Sequence, residues 1–211
     1  AMVENKQYLD FITVDGSEGG TGAAPLEFTD RLGCPLTDAL IYVDNALIGA
    51  GVRERVKVAA SGKIVSAYDI VRHLALGADW CNMARPFMFS LGCIQALACS
   101  SGNCPTGVAT MNPNRYRVLD VIDRANRVAN FHKNTLNVVK EMIEATGLNH
   151  PNELCRRHIV RRVSSGQILL ADQLFPKVQP NALITGEKCD DPRLDVYWDR
   201  VDGSSFSARE S

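Results

Sequence analysis

The chain has 211 residues, 45% of them hydrophobic, with 23 basic and 24 acidic side chains and a formal net charge of −1. That is enough apolar material for one domain or a large piece of one, and the balanced charge excludes bulk attraction to nucleic acid or an anionic membrane. No 18-residue apolar run predicts a membrane-spanning helix, and the opening AMVENKQYLDF lacks the regions of a secretion signal, so the expected location is cytoplasmic.

The first predicted strand is FITV, residues 11–14, a short apolar run ending at Asp15-Gly16. A glycine-rich loop, GSEGGTGAAP, follows over residues 16–25. The stretch LTDALIYVDNALIGAG then places Ala39, Leu40, Val43, Ala46 and Leu47 on one helical face, with Gly51 as a stop. RVKVAA, residues 55–60, reads as a second strand. Ser66 with Asp69 three positions later predicts a capping box, and YDIVRHLALG a helix ended by Gly77. DWCNMA, residues 79–84, reads as a third strand. Pro86 suits a first helical position, and FMFSLGCIQALA reads as a continuation of that helix.

The order is strand–helix three times over, with strands apolar throughout rather than alternating. Such strands predict an α/β fold with a parallel sheet covered on both faces. The glycines sit in loops after the strands, where folds of this kind bind ligands. Farther on, Val118, Val121, Ile122, Ala125, Val128, Ala129, Leu136, Val139, Met142 and Ile143 share a helical stripe over residues 117–146, stopped by Gly147. PNELCRRH predicts a short helix with Asn149 or Asn152 as cap. The last ten or so residues, ending DGSSFSARES, read as a disordered tail. The division expected is residues 1–110 for three β/α units and a cysteine segment, 111–175 for a helical extension, and 176–211 for an irregular tail.

Seven cysteines are present, at 34, 81, 93, 99, 104, 155 and 189. In a reducing compartment, clustered cysteines are more often ligands or catalytic groups than disulfides. LGCIQALACSSGNCPTGVAT, residues 91–110, holds Cys93, Cys99 and Cys104 at C-x5-C-x4-C. Structural zinc wants four ligands, commonly from C-x2-C pairs, and neither that spacing nor a nearby fourth ligand is found. A three-iron cluster needs one thiolate per iron, which fits, with SSGN amides offered to the sulfurs. Ordinary buried thiols fit the spacing as well. Cys34, Cys81, Cys155 and Cys189 read as structural.

The loops Ala60-Ser61-Gly62-Lys63 and Met83-Ala84-Arg85-Pro86 follow the second and third strands. Gly62 allows backbone N–H groups close to a phosphate, the helix near Ser66 points its positive end the same way, and Arg85 adds a guanidinium. A plain turn is the other reading. Residues 16–22 match no phosphate-loop pattern; that much glycine suits close approach by a ligand or a surface loop. His73 and His132 read as structural or exposed. Arg156, Arg157, Arg161 and Arg162 read as a solvated basic face.

FITVDGSEGGTGAAP, NALIGAGVRERVKVAASGKI, ALGADWCNMARPFMFSLGCIQ and CIQALACSSGNCPTGVAT together resemble the FMN-binding synthase domain of the glutamate synthase family, over roughly residues 8–150. The resemblance implies the C-terminal portion of a (β/α)8 TIM barrel, FMN and a [3Fe–4S] cluster. It implies Cys93, Cys99 and Cys104 as cluster ligands. Gly62, Lys63, Ala84 and Arg85 would belong to the phosphate loops, and Gly19, Gly20, Thr21 and Gly22 to a loop near flavin and substrate. It names no catalytic residue. The implied reaction is hydride transfer from reduced FMN to 2-iminoglutarate, formed from 2-oxoglutarate and glutamine-derived ammonia. Electrons would come through the cluster from ferredoxin or a pyridine-nucleotide-linked subunit. An N-methylglutamate synthase-type flavoprotein subunit is the alternative chemistry, and a non-catalytic fragment the alternative without chemistry. Three units against eight lead us to expect a piece of a longer protein, inactive alone, weak in FMN binding and self-associating through open edges. No N-terminal cysteine nucleophile of a glutaminase is found, since Ala1 opens the chain.

Overall fold

The computed structural model describes residues 1–17, 24–187, 189 and 191–205. The predicted loop at Gly19, Gly20, Thr21 and Gly22 lies outside the described residues, as do residues 206–211 of the predicted tail.

Helix α1 (Met2–Asn5) precedes β1 (Phe11–Asp15). Helices α2 (Leu26–Arg31) and α3 (Leu36–Gly49) lead to β2 (Lys57–Ser61), α4 (Ala67–Leu76) leads to β3 (Trp80–Asn82), and α5 (Arg85–Leu91) follows. The three strands form one parallel sheet in the order β1-β2-β3, with Phe11 opposite Lys57 and Ala59 opposite Trp80. Each step to the next strand is a helical crossover, so the arrangement is α/β and compatible with part of a (β/α)8 barrel.

Burial explains the composition of the strands. Central β2 has neighbours on both edges, and Val58, Ala59 and Ala60 are fully buried. Val58 and Ala60 join the main core with Val14, Leu40, Ile41, Val71 and Leu76. By alternation Ala59 lies on the opposite face, level with Trp80 and flanked by Phe11, and those two rings meet at 5.5 Å. Both aromatics remain substantially exposed, Phe11 at 53% and Trp80 at 38%, on a sheet face without a covering layer among the described residues.

Helix α4 forms as its sequence predicts. Ser66 Oγ accepts the Asp69 N–H at 3.2 Å, and Asp69 Oδ2 accepts the Ser66 N–H at 2.9 Å. Gly77 ends the helix, its φ of 124° outside the range other residues favour. Helix α5 is shorter than expected. It stops at Leu91 because Gly92, at φ 107°, turns the chain left-handed, and residues 93–104 form no continuation.

A short helix α6 (Pro113–Tyr116) precedes helix α7 (Val121–Ala145), which is the long helix expected over 117–146, begun four residues later. Asp120 caps α7, its Oδ1 accepting the Asp123 N–H at 2.7 Å. The expected apolar stripe is buried only at its far end, at Val139 and Ile143; Val121 and Ile122 stay exposed. Helix α7 packs on α4 and α5, with Phe131 edge-on to Phe87 at 5.1 Å.

The remaining segment holds more regular structure than expected. Two 3-10 turns, Pro151–Glu153 and Arg156–His158, take His150 and Cys155 as their caps in place of Asn149 or Asn152. The antiparallel hairpin β4 (Val160–Ser164) and β5 (Gln167–Leu170) falls where a helical extension was predicted. Helices α8 (Ala171–Leu174), α9 (Ala182–Thr185) and α10 (Pro192–Trp198) follow, the last two where an irregular tail was predicted. Val178, Leu183, Cys189 and Leu194 build a second apolar cluster against Tyr42, Ala46 and Ile48 of α3.

Polar groups fasten this segment to the sheet domain. Asp44 and Asn45 on α3 are buried, and so is Arg156. Arg156 Nη2 donates to Asp44 Oδ2 at 2.8 Å and Asn45 Oδ1 at 3.0 Å, while its Nη1 donates to the Phe175 carbonyl at 2.7 Å. Arg53 Nε donates to the other Asp44 oxygen at 2.8 Å, and Arg53 Nη2 to Asp79 Oδ2 at 3.0 Å. The basic run is therefore a solvated face only at Arg157, Arg161 and Arg162; Arg156 faces inward. Among the described residues, no helix is long and apolar enough to cross a membrane.

Candidate functional site

A cavity of about 370 Å³ opens at the C-terminal ends of β2 and β3. Its wall is supplied by Ser61, Gly62, Lys63 and Ile64 after β2, by Asn82, Met83, Ala84 and Arg85 after β3, and by Met88 on α5. The cysteine segment closes it with Cys93, Gln95, Leu97 and Cys99, and Ala109 joins the wall. The volume is within the range of small-molecule and cofactor pockets.

Local chain geometry explains why these residues meet here. Gly62 has φ 86° and Lys63 φ 57°, two left-handed residues in succession that reverse the chain as it leaves β2. A Cβ on Gly62 would lie 2.6 Å from Asp15 Oδ1, 2.6 Å from the Ser17 nitrogen and 2.9 Å from the Gly16 carbonyl carbon. The turn thus fits only around glycine, and its backbone stays bare of side chain at the cavity. Lys63 Nζ pairs with Asp30 Oδ1 at 3.0 Å, both groups about half exposed, so solvent screens the pair.

One element of the predicted phosphate site is changed. Asp69 accepts N–H bonds from Val65 and Ser66, so a carboxylate already occupies the head of α4. Burial alone would raise the Asp69 carboxyl, but the Ser66 and Val65 donors outweigh it and hold it below the usual range. The cavity wall reaches Ile64 and leaves out Ser66. The part of this loop that reaches the cavity is therefore Ser61 to Ile64, and Arg85 belongs to the same wall.

None of the seven cysteines is in a disulfide. Cys93 and Cys99 line the cavity, and Cys104 is buried outside its wall. Cys104 Sγ is 3.4 Å from Thr106 Oγ1. That hydroxyl, with opposition from burial and help from the Ala109, Thr106 and Val108 N–H groups, brings the Cys104 thiol down to about 7. Cys81 is the opposite case: burial, then Asp69, pushes its thiol up to about 12, which suits a structural thiol. Among the described residues no three His, Cys, Asp or Glu side chains gather around a point where one metal ion could sit.

The donor chemistry nevertheless fits a sulfide-bridged cluster. Such a cluster takes each thiolate on a different iron, so its ligands need not converge on a single ion. Three free thiols lie within twelve residues of chain, two face a cavity, and the third is surrounded by hydrogen-bond donors suited to negative sulfur. Gln95 at φ 55° and Leu97 at φ 54°, both left-handed, shape the intervening segment. That conformation is rare for a leucine and marks a locally strained stretch. For FMN, the glycine-only turn at Gly62 and the Arg85 charge fit a phosphate, and Met83, Met88, Leu97 and Ala109 supply apolar wall.

Sequence reasoning found both loops and two of the wall cysteines. Met83 already lay in the second of those loops; Ile64, Asn82, Met88, Gln95, Leu97 and Ala109 were missed as wall residues. Ile64 and Asn82 adjoin the predicted loops and carried a usable signal, Met88 sits one turn into α5, and Gln95, Leu97 and Ala109 depend on how the cysteine segment folds back.

Comparison with known proteins gives the family. Residues 1–149 match the family model described as the conserved region in glutamate synthase. The chain is 42% identical over 174 residues to the glutamate synthase large subunit-like protein YerD of Bacillus subtilis, covering 82% of this chain and 33% of that protein. It is 39% identical over 140 residues to the archaeal glutamate synthase [NADPH] of Methanocaldococcus jannaschii, covering 66% of this chain and 28% of that one. A stretch of 105 residues is 38% identical to the chloroplastic ferredoxin-dependent glutamate synthase 2 of Arabidopsis thaliana, half of this chain and 6% of that protein. The chain thus spans a third or less of the length of these relatives. On the strength of the family match over residues 1–149, the chain belongs to the glutamate synthase family.

Proposed function

We propose that this chain is the cofactor-holding end of a glutamate synthase-like oxidoreductase. The single observation carrying the reading is that both predicted phosphate loops and two of the three clustered cysteines wall one cavity at the C-terminal strand ends. That is where parallel α/β folds place their chemistry.

In this reading the Gly62 and Lys63 backbone, the Ala84 backbone and the Arg85 guanidinium hold the FMN phosphate. Cys93, Cys99 and Cys104 hold a [3Fe–4S] cluster. When bound, these groups would supply single-electron delivery and hydride transfer to 2-iminoglutarate made from 2-oxoglutarate and ammonia. The chain's own residues bind and orient. Gly62 admits the phosphate, Arg85 neutralises it, and Met83 and Met88 exclude water from the wall they form. Cys93 and Cys99 share one cavity wall with the flavin-holding loops, which would bring the cluster and the flavin into the same part of the chain. Glutamine-derived ammonia, a ferredoxin or pyridine-nucleotide-linked donor, and a cytoplasmic location belong to the same proposal. The relatives' names, one ferredoxin-dependent and one with NADPH, support a redox donor without choosing between the two.

The test is anaerobic purification with iron, sulfide and FMN measured on one sample. About three irons and four inorganic sulfides per chain support the cluster assignment. Reconstitution that yields no bound iron would overturn it, and FMN binding indifferent to Arg85→Ala would overturn the phosphate assignment.

A further inference from the structure

The three clustered cysteines are not equivalent. Among the described residues, Cys104 alone of the three has a side-chain hydrogen bond at its sulfur, from Thr106 Oγ1 at 3.4 Å. Cys93 and Cys99 lie on the cavity wall, whereas Cys104 is 7% exposed.

The chain holds Thr106 in that position. Pro105 fixes its own backbone angle between the two residues. Gly107, at φ 81°, then seats the turn against α6: a Cβ there would lie 2.5 Å from the Arg115 carbonyl oxygen and 2.9 Å from the Tyr116 Cα. With Gly107 pressed on the α6 backbone, Thr106 is half-buried and directed back at Cys104. A thiol could share a proton with the hydroxyl in either direction. A sulfur bound to iron has no proton, so it can only accept, and Thr106 becomes the donor.

We propose that Thr106 sets the reduction potential of the cluster through Cys104. This rests on the reading of Cys93, Cys99 and Cys104 as cluster ligands. A bound cluster would take up one electron from a reductant such as dithionite, with no bond made or broken in the protein, and part of the added charge would fall on its ligand sulfurs. The Thr106 hydroxyl, donating to Cys104 Sγ, would then stabilise the reduced form more than the oxidised form and raise the potential. Thr106 is a positioning residue: it acts through a ligand and touches neither flavin nor substrate.

The experiment uses the full 211-residue chain, reconstituted anaerobically with iron and sulfide, in three versions: unaltered, Thr106→Val and Thr106→Ser. Iron is counted first, and each sample is then titrated with dithionite and followed by absorbance and electron paramagnetic resonance. At the potential where the unaltered cluster is half reduced, Thr106→Val should show a reduced-to-oxidised ratio about fivefold lower, the equivalent of one ordinary hydrogen bond. Thr106→Ser should restore the original ratio. A fully loaded Thr106→Val cluster with unchanged potential would overturn the inference. So would loss of the cluster in Thr106→Val with retention in Thr106→Ser, which would make the hydroxyl an assembly group. If the unaltered chain takes up no iron, the ligand reading fails and this inference fails with it, a result told apart by the iron count alone.

Discussion

Arg156 and Asp44, 112 positions apart in the chain, meet at 2.8 Å with both side chains almost wholly buried. Asp44 holds Arg53 with its other oxygen, so one carboxylate joins α3, the turn before β2 and the segment after α7. Removing Arg156 leaves Asp44 buried with half its charge compensation. Arg156→Met should cost about 3–5 kcal/mol, the usual consequence of breaking a buried pair from one side. Urea unfolding measures it, and Asp44→Asn combined with Arg156→Met should cost less than the sum of the two single changes.

Gly62→Ala tests the phosphate turn. The new Cβ would press on Asp15 Oδ1 and the Ser17 nitrogen at 2.6 Å, at a φ of 86°. The turn must shift, with a loss of roughly 1–3 kcal/mol in stability and at least tenfold weaker FMN binding by flavin fluorescence titration. Unchanged flavin affinity in a folded Gly62→Ala protein would remove this turn from the site.

Cys99→Ser should abolish iron uptake while flavin binding stays within a few-fold, because Cys99 is a wall residue remote from the Gly62 turn in sequence and belongs to a different loop. Iron analysis and flavin titration on the same sample separate the two effects. Full iron content in Cys99→Ser would refute its role as a ligand.

Thiol chemistry should divide the cysteines sharply. Cys34 is exposed, whereas Cys81 is half-buried with its thiol pushed up to about 12. At pH 8 a maleimide should label Cys34 early and leave Cys81 unlabelled until the protein unfolds. Mass spectrometry of timed samples reads the order.

Acid should destabilise the fold in two stages. Burial holds His73 below the ordinary histidine value, although the Asp69 carbonyl opposes it. Folding therefore favours neutral His73, and that contribution is lost as pH falls from about 6.5 toward its folded value. Asp191, held down chiefly by its bond to Arg193, is depressed in the folded state. Asp79 is depressed as well, because the Val58 N–H and Arg53 outweigh burial. The stability these carboxylates add is present above about pH 3.9 and is lost as pH falls through their folded values. Thermal midpoints between pH 8 and 3 should decline gently first and steeply last; His73→Gln should flatten the first part only.

Where local rules decide the structure, the sequence was readable. Ser66 and Asp69 lie three residues apart and satisfy each other, so α4 was visible with its cap. The strands FITV and RVKVAA were visible as apolar runs, although the expected cover on both faces holds only for the central residues 58–60, since the face with Phe11 and Trp80 is open among the described residues. Residues 93–98 kept a helical pattern past Gly92, yet one left-handed glycine outweighs six residues of periodicity. Arg156 looked like its neighbours Arg157, Arg161 and Arg162 because its partners on α3 are more than a hundred residues away. The hairpin at 160–170 carried a turn signal, Ser165-Gly166 between VRRVS and QILL, which the helical reading of the extension passed over. The two-loop cavity, Met83 included, was legible because strand ends and glycines mark it; Gln95 and Leu97 were not, because their place in the wall depends on a segment folding back.

The contact between Phe11 and Trp80 over Ala59 gives the molecule an optical reporter. The chain has two tryptophans, and Trp198 sits apart, packed on the cluster around Leu194. Trp80 is two residues from the cavity wall at Asn82, on the open face of the sheet. With Trp198→Phe as background, emission from Trp80 alone would shift to the blue whenever another layer of protein covers that face. A flavin in the adjacent cavity would dim the same emission by energy transfer, so colour would report assembly and brightness would report loading.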